Sequence, residues 1–554
     1  MEDLKPMLFT CLKKYSKEQF IKDLIAGIIV AIIALPLSIA LALASGVGPE
    51  RGIYTAVIAG FVISFLGGSQ VQIAGPTAAF ATIVAGIVAD QGMDGLAVAT
   101  ILAGIILILM GFCRFGSLIK FIPYTITTGF TAGIAVTIAI GQLKDFCGVT
   151  IPAGMHTIET MEKLEGFLAG IGTLNWHAVF VGAVCLAILI FMPKVKMLAK
   201  IPPSLAAVAV GILMVKLMPI QVNTIGDLYT INSSLPSFHL PKLSLEVIQK
   251  ALPNAFTIAI LAAIESLLSC VVADGMINGN HRSNMELAAQ EQEMLHLRFL
   301  EESRQQVRLH VLQQTLKWSR TPVAGMVHAV VLFLVLLVLM PYAGWIPMPT
   351  IAAILFIVAY NMCQWRPFVR LVKTAPKSDI AVLVITFMLT VVFDLVVAIE
   401  VGMVLACLLF MKRMSDETGV RNWSHTDEIS DEVRDAERAR MRDIPSSISV
   451  CEITGPLFFG AADQIGLIAV TEKTKCLILR MRGVPALDST AMNSLTSLYE
   501  KCRKKKITLI LSHVNDQPMR VIRKAGFDTL IGKENFSPNI DAAIEKAEKI
   551  TSNR

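Results

Sequence analysis

The sequence predicts an α-helical multi-span membrane protein followed by a small cytoplasmic α/β domain. Three observations predict it. Of 554 residues, 54% are hydrophobic and only 17% are charged, against about 25% charged in an ordinary soluble domain. Long apolar segments follow one another from residue 24 to residue 410. After Met414 the pattern changes to short alternating runs. With a mean hydropathy of +0.63, this composition excludes a disordered chain, a fibrous repeat and a nucleic-acid-binding protein.

The first twenty residues carry Lys5, Lys13, Lys14 and Lys17 and have no clean apolar core. Residues 1–22 therefore read as a cytoplasmic N-terminus, and the run that follows as a first transmembrane helix rather than a cleaved signal. A crossing helix needs about 20 mostly apolar residues. Segments of that kind, several of them short, lie near 23–45, 52–68, 72–89, 95–112, 119–141, 174–192, 202–218, 254–273, 322–341, 349–363, 378–393 and 395–411. The third opens with Ala74-Gly75-Pro76-Thr77, which predicts a broken or half-length helix.

Basic residues cluster at the N-terminus, at Arg114 and Lys120, at Lys194, Lys196 and Lys200, at His281-Arg282, at Arg320, at Arg366, Arg370, Lys373 and Lys377, and at Lys412-Arg413. An even number of spans separates each cluster from the next, so all of them can face the cytoplasm. Both termini then lie inside an inner (plasma) membrane, and the polar loop 219–252 lies outside. These loops explain the net charge of +6 without a nucleic-acid partner. The ten Cys are scattered, with no C-x-x-C and no metal-type spacing, and predict neither disulfides nor a metal site.

The transmembrane domain spans 23–414. Residues 415–445 are polar, lack apolar periodicity and read as a linker. Residues 446–554 read as the α/β domain, with strands at 447–453, 476–481 and 507–511 and helices at 489–504, 518–525 and 540–550. Leu495, Leu498 and Tyr499 share one helical face. A domain of this length can form its own core.

Five motifs in order resemble those of the SulP (sulfate permease) anion transporters. The first is Pro36-x3-Ala40-x-Ala42-x3-Gly46-x2-Pro49-x2-Gly52-Ile53-Tyr54. Gly75-Pro76-Thr77-Ala78-Ala79-Phe80 is similar to the family's third span, and Ile264-Glu265-Ser266-Leu267-Leu268 with Val272-Ala273-Asp274 to its eighth. His281-x2-Asn284-x-Glu286-Leu287-x2-Gln290 is similar to the loop after it, and the C-terminal domain resembles a STAS domain, including Asp488-Ser489-Thr490. The resemblance covers nearly the whole chain. It implies fourteen spans in two inverted repeats, a core domain moving against a gate domain, and a homodimer.

Only twelve spans are readable, and the shortfall lies at 291–320. That stretch has no Gly and no Pro, and carries charges at Glu291, Glu293, Arg298, Glu301, Glu302, Arg304, Arg308, Lys317 and Arg320. Each would cost about 2.5–3.5 kcal/mol at mid-bilayer, so the stretch cannot span. The resemblance places spans nine and ten here, and span ten supplies half of the substrate site. We read the stretch as a frame-shifted version of the family segment. Codons for Gln or His begin CA, those for Glu GA and those for Arg often CG. Reading each with its predecessor's last base lets residues 292–316 yield a family-like run rich in Ala and Gly. The other reading is a genuine cytoplasmic amphipathic insert.

A half-helix starting in mid-membrane presents unpaired N–H groups and a positive dipole end to an anion. With the resemblance, this makes Thr77 the hydroxyl donor and the backbone N–H groups of Ala78, Ala79 and Phe80 the cradle; the bland reading is a Pro kink. Ser38, beside Pro36, either lines the site or bonds back to its own helix. Glu265 is an acid within an apolar run, which is functional by default. The resemblance gives it the coupling ion, with Ser269 one turn on facing the same way; the bland reading is a structural pair. His328, Asp394 and Glu400 lie near span ends and read as interfacial and solvated. Ser489 and Thr490 are either a regulatory phosphosite or, with Asp488, an ordinary helix cap.

We read the chain as a secondary transporter of small inorganic or organic anions, of sulfate type, that works by alternating access with a proton as coupling ion. Sodium-coupled bicarbonate or C4-dicarboxylate transport is the alternative, and the pattern resembles bacterial dicarboxylate-type members. From another class, a chain without span ten would be a non-transporting, membrane-anchored STAS regulatory module. No cofactor is expected beyond the proton or sodium. The expected partners are the anion, the bilayer, a second copy, and a cytoplasmic protein or nucleotide at the STAS domain. No Walker loop, H-E-x-x-H or G-x-S-x-G occurs, which argues against a pump driven by ATP and against an enzyme.

Overall fold

The computed structural model describes residues 5–75, 78–113, 115, 123–152, 155, 159–195, 201–229, 244–277, 280–289, 321–393, 395–422, 444–460, 462–466, 468 and 473–552. The chain divides into two units, Met1–Met403 and Val404–Arg554. The charged stretch 291–320 lies outside the described residues.

The first unit is helical. Helix α1 (Lys17–Ala44) starts on Ser16, whose hydroxyl accepts the Gln19 N–H at 3.2 Å, an ordinary N-cap. Helix α2 (Pro49–Leu66) carries Pro at its first position, where the missing N–H costs nothing. Helix α3 (Ala78–Phe112) is interrupted at Gly92, with φ 69° and ψ −172°, a conformation that suits only glycine. The break separates the expected third and fourth spans. Then come α4 (Tyr124–Cys147), closed by left-handed Gly148, α5 (Trp176–Phe191), α6 (Pro203–Leu217) and α7 (Leu245–Ile277). The unit continues with α8 (Val323–Ala343), α9 (Met348–Cys363), α10 (Trp365–Thr374), α11 (Lys377–Val392) and α12 (Leu395–Asp416), the last of which runs on into the second unit. Among the described residues, eight helical stretches are long and apolar enough to cross a bilayer.

Helix α7 starts at Leu245, inside what the sequence presents as polar loop, and contains Pro253. Its first turns are held by a Glu246–Lys250 pair at 3.0 Å, an i,i+4 spacing that supports a helix without apolar periodicity.

The helices pack in two sets. In one, α3 lies along α7, and α8 lies along α1 and α2. In the other, α4 lies along α9 and α11, and α5 packs on α9 and α6. Small residues permit the close crossings, as is usual in membranes. A Cβ on Gly129 would stand 2.6 Å from the Leu383 carbonyl oxygen, and one on Gly133 2.6 Å from Thr390 Cβ. Those two contacts also show that α4 and α11 run in the same direction.

The second unit contains a five-stranded sheet in the order β1 to β5: β1 (Gly419–Asn422), β2 (Ile448–Thr454), β3 (Cys476–Gly483), β4 (Thr508–Ser512) and β5 (Phe536–Ser537). Strands β2 to β5 are parallel and β1 is antiparallel to β2. One face packs on α13 (Ser489–Lys504) through Leu495 and Leu498, with Ile522 of α14 (Asp516–Lys524) in the same cluster. The other face packs on α15 (Ile540–Ser552) through Ala543 and Ala547. The expected three strands and three helices are present. The linker reading of 415–445 is corrected at its start, where Gly419–Asn422 is a strand. Four residues, Gly-Val-Arg-Asn, are too few to show alternation, and their partner β2 lies some thirty positions on in the sequence.

Candidate functional site

Helix α2 ends at Leu66, residues 67–75 have no helical structure, and α3 begins at Ala78. The backbone N–H groups of Ala78, Ala79 and Phe80 are therefore in the first turn of a helix, where such groups have no intrahelical acceptor. Phe80 is buried and shares a cluster with Leu261 and Leu267 of α7. Pro76 and Thr77 lie outside the described residues, as do the side chains of Ala78 and Ala79. Glu265 and Ser269 are half-buried on α7, the helix that lies along α3. The start of α3 and the intramembrane acid are thus on neighbouring helices.

Ser38 is buried, and its hydroxyl finds no hydrogen-bond partner among the described residues. The back-bond expected of a helical Ser is absent there. His328 is corrected outright: it is 0% exposed, not solvated at an interface. Its ring lies against Gly60, where a Cβ would be 3.4 Å from His328 Cδ2 and 3.3 Å from the Ala74 carbonyl oxygen. Neither ring nitrogen has a partner among the described residues, nor do the Ser64 hydroxyl and the Gln72 amide. Asp394 lies outside the described residues. Glu400 is exposed on α12 and lines a cavity of about 190 Å³ with Ile83 of α3 and Thr257 of α7.

The sequence shows Glu286 as part of a motif but gives no sign of what it does. The Gly68 and Ser69 N–H groups donate to Glu286 Oε2 at 2.8 and 3.2 Å, and the Ser266 hydroxyl lies 3.4 Å from Oε1. Glu286 is 0% exposed. The Arg282 N–H donates to the Gly68 carbonyl at 3.0 Å, and a Cβ on Gly68 would stand 3.0 Å from the Arg282 carbonyl carbon, so only glycine fits. The Arg282 guanidinium donates to the Lys5 carbonyl at 2.7 Å and to Thr10 Oγ1 at 3.3 Å. Asp274 Oδ2 accepts from the His281 N–H and lies 2.7 Å from His281 Nδ1, while Ser283 Oγ is 2.9 Å from Nε2. Residues 281–289 thus tie the end of α7 to the segment that feeds α3. At the start of α1, buried Asp23 accepts from Tyr15 at 2.8 Å, Gln19 at 2.9 Å and Thr321 at 2.5 Å. Burial, and then Asp23 itself, hold the Tyr15 phenol above its usual range.

Residues 20–386 match the sulfate permease family and residues 440–543 match the STAS domain. The chain belongs to the sulfate permease family. It is 36% identical over 542 residues to YvdB of Bacillus subtilis, provisionally named a sulfate transporter, covering 96% of this chain and 98% of that one. It is 28% identical over 516 residues to the bicarbonate transporter BicA of Picosynechococcus, covering 91% and 90%. Among solved structures, SLC26A9 superposes with a TM-score of 0.84 at 19% identity over 100% of this chain and 93% of that one, a likeness of fold. The transmembrane domain of a cyanobacterial BicA superposes with a TM-score of 0.61 at 25% identity, over 71% and 98%. The protein is accordingly a multi-span anion transporter with a C-terminal STAS domain, in a family of transporters rather than enzymes.

In the STAS domain, Asp488 is the N-cap of α13. Its Oδ1 accepts the Ala491 N–H at 2.8 Å and its Oδ2 the Phe459 N–H at 2.9 Å. Ser489 and Thr490 are exposed in the first turn, where a hydroxyl is accessible and the helix dipole favours a phosphate.

Proposed function

We propose that the protein is a proton-coupled symporter of a sulfate-type anion. The anion is held by Thr77 and the N–H groups of Ala78, Ala79 and Phe80, with Ser38 nearby, and Glu265 carries the proton with Ser269 beside it. The observation that carries this reading is the packing of α3 along α7. It sets a helix start, which favours negative charge, next to a helix bearing a half-buried carboxylate. A carboxylate beside an anion site suits proton symport, because protonation removes its repulsion of the anion. Transport follows from the set α1, α2, α3, α7 and α8 moving against the set α4, α5, α6, α9 and α11. The protein works as a homodimer in the plasma membrane with both termini in the cytoplasm, and its STAS domain takes a cytoplasmic protein or nucleotide, with Ser489 and Thr490 as its phosphosite.

The test is uptake of labelled sulfate into proteoliposomes under an imposed pH gradient, with bicarbonate and C4-dicarboxylates as competitors. Glu265→Gln is expected to abolish accumulation driven by the gradient, and Thr77→Ala to weaken anion affinity. Accumulation driven only by a sodium gradient would assign the acid to sodium. Accumulation unchanged in Glu265→Gln would remove the acid from coupling altogether.

A further inference from the structure

Helix α10 joins two spans, yet none of its residues is buried. At about 100° per residue, its side chains sort into three stripes. Phe368 and Leu371 face the bundle, and the Phe368 ring lies 5.5 Å from that of Phe387 on α11. Trp365, Val369 and Val372 form an exposed apolar stripe, at 46%, 39% and 39% exposure. Arg366, Arg370 and Lys373, all exposed, form a basic stripe a quarter-turn round. Lys377 opens the next span, and no acidic residue occurs from 364 to 378.

An exposed stripe of this kind beside a basic one suits neither water nor hydrocarbon. Each basic residue at mid-bilayer would cost about 2.5–3.5 kcal/mol, and an exposed Trp with two Val gains nothing in water. Both stripes are satisfied at the membrane–water boundary. The aromatic residues mark the same level. Trp365 Nε1 donates to the Tyr360 hydroxyl at 3.4 Å, and Tyr360 is itself 62% exposed at the end of α9. Trp and Tyr collect at headgroup depth.

We propose that α10 is a binding surface for the headgroups of anionic phospholipids in the leaflet it faces. The apolar stripe enters the acyl boundary, and Arg366, Arg370 and Lys373 pair with lipid phosphates. Residues at i, i+4 and i+7 each stand about 5–6 Å from the next along a helix, and a guanidinium presents a planar fork that matches phosphate oxygens. The Arg366 guanidinium lies 5.6 Å from the Trp365 ring centroid, which holds it at the border between the two stripes. Because α10 lies between α9 and α11, both of which pack on α4, lipid bound there loads the second set of helices and not the first.

The test presents the purified full-length protein with equal amounts of phosphatidylglycerol and phosphatidylcholine of the same chain length, and counts retained lipid by native mass spectrometry. Wild type is expected to prefer phosphatidylglycerol. A surface Lys or Arg contributes about fivefold in affinity for an anionic lipid, so R366Q/R370Q/K373Q is expected to erase the preference. The exposed STAS cluster changed by K501Q/R503Q/K504Q is expected to leave it intact. Excess inorganic phosphate is expected not to displace the lipid. The proposal is overturned if wild type shows no preference, if the α10 triple variant keeps it, or if free phosphate or a second copy of the chain displaces the lipid. Should that variant fail to fold, Trp365 itself reports. The fluorescence lost in W365F should be quenched more by brominated phosphatidylglycerol than by brominated phosphatidylcholine, and equal quenching overturns the proposal.

Discussion

Replacing Glu286 separates two ideas about what its buried carboxylate does. Both N–H donors, Gly68 and Ser69, converge on one oxygen, Oε2, while the Ser266 hydroxyl lies 3.4 Å from Oε1 and the Cys270 thiol also hydrogen-bonds the carboxylate. A glutamine can place its carbonyl oxygen where Oε2 stands and direct its NH2 at Ser266, which is able to accept. Glu286→Gln therefore keeps both backbone bonds and loses their charge assistance, a cost of about 1 kcal/mol. Glu286→Ala strands two buried N–H groups at about 1–3 kcal/mol each. Relief of the carboxylate's own desolvation offsets part of that, leaving a loss of about 2–4 kcal/mol. The local assay is amide hydrogen exchange in full-length protein. The peptide carrying Gly68 and Ser69 should exchange about tenfold faster for each 1.4 kcal/mol lost in Glu286→Ala, and nearly as wild type in Glu286→Gln. If both variants loosen the segment equally, charge and not hydrogen bonding holds it. If neither does, residues 67–75 are held by other contacts and the clasp is wrong.

Gly129→Val should push α4 off α11, because the new Cβ meets the Leu383 carbonyl at 2.6 Å; a loss of about 1–3 kcal/mol would appear as a lower melting temperature in detergent, and an unchanged one would contradict the crossing. Asp488→Ala should cost about 1–3 kcal/mol through its two N–H partners, whereas Ser489→Ala should stay within about 0.5 kcal/mol, as read by denaturation of the second unit in the full chain. Burial pushes the Cys451 and Cys502 thiols up to about 11. They should resist alkylation at pH 8 while exposed Cys113 reacts. With folded values above the ordinary 9, the stability they contribute is complete below pH 9 and is lost as pH rises through about 11. Mass-spectrometric labelling across that range checks both statements.

What could be read from the sequence depended on how far apart the interacting groups lie along the chain. Spans and strands announce themselves through local periodicity, so Ser489–Lys504 and the break near Gly75-Pro76 were visible from neighbouring residues alone. Gly92 lies between two apolar runs, which agrees with a break there. Glu286 shows the opposite case. Its backbone donors lie 218 and 217 positions away, and a polar residue in a loop motif gives no sign of being fully buried. His328 deceives for a related reason. Proximity to a helix end suggested solvent, but the neighbouring helix offers Gly60, whose missing side chain makes room for the ring. Glu265, by contrast, stood out because an acid in an apolar run has no local explanation. Its role still depends on groups from other helices that no local pattern reveals.

Strand β1 bears on how the soluble part of this protein can be studied alone. Its four residues cover one side of β2 along Thr454, Ile453, Glu452 and Cys451. A truncation that begins at residue 446, where alternation becomes obvious, keeps the sheet but strips that cover. It exposes a row of unpaired N–H and C=O groups on a strand whose inward face is apolar, which is the usual template for edge-to-edge association. Aggregation of such a fragment would say nothing about the domain's own solubility. The boundary that respects the sheet lies before Gly419, within the stretch that the sequence alone reads as linker.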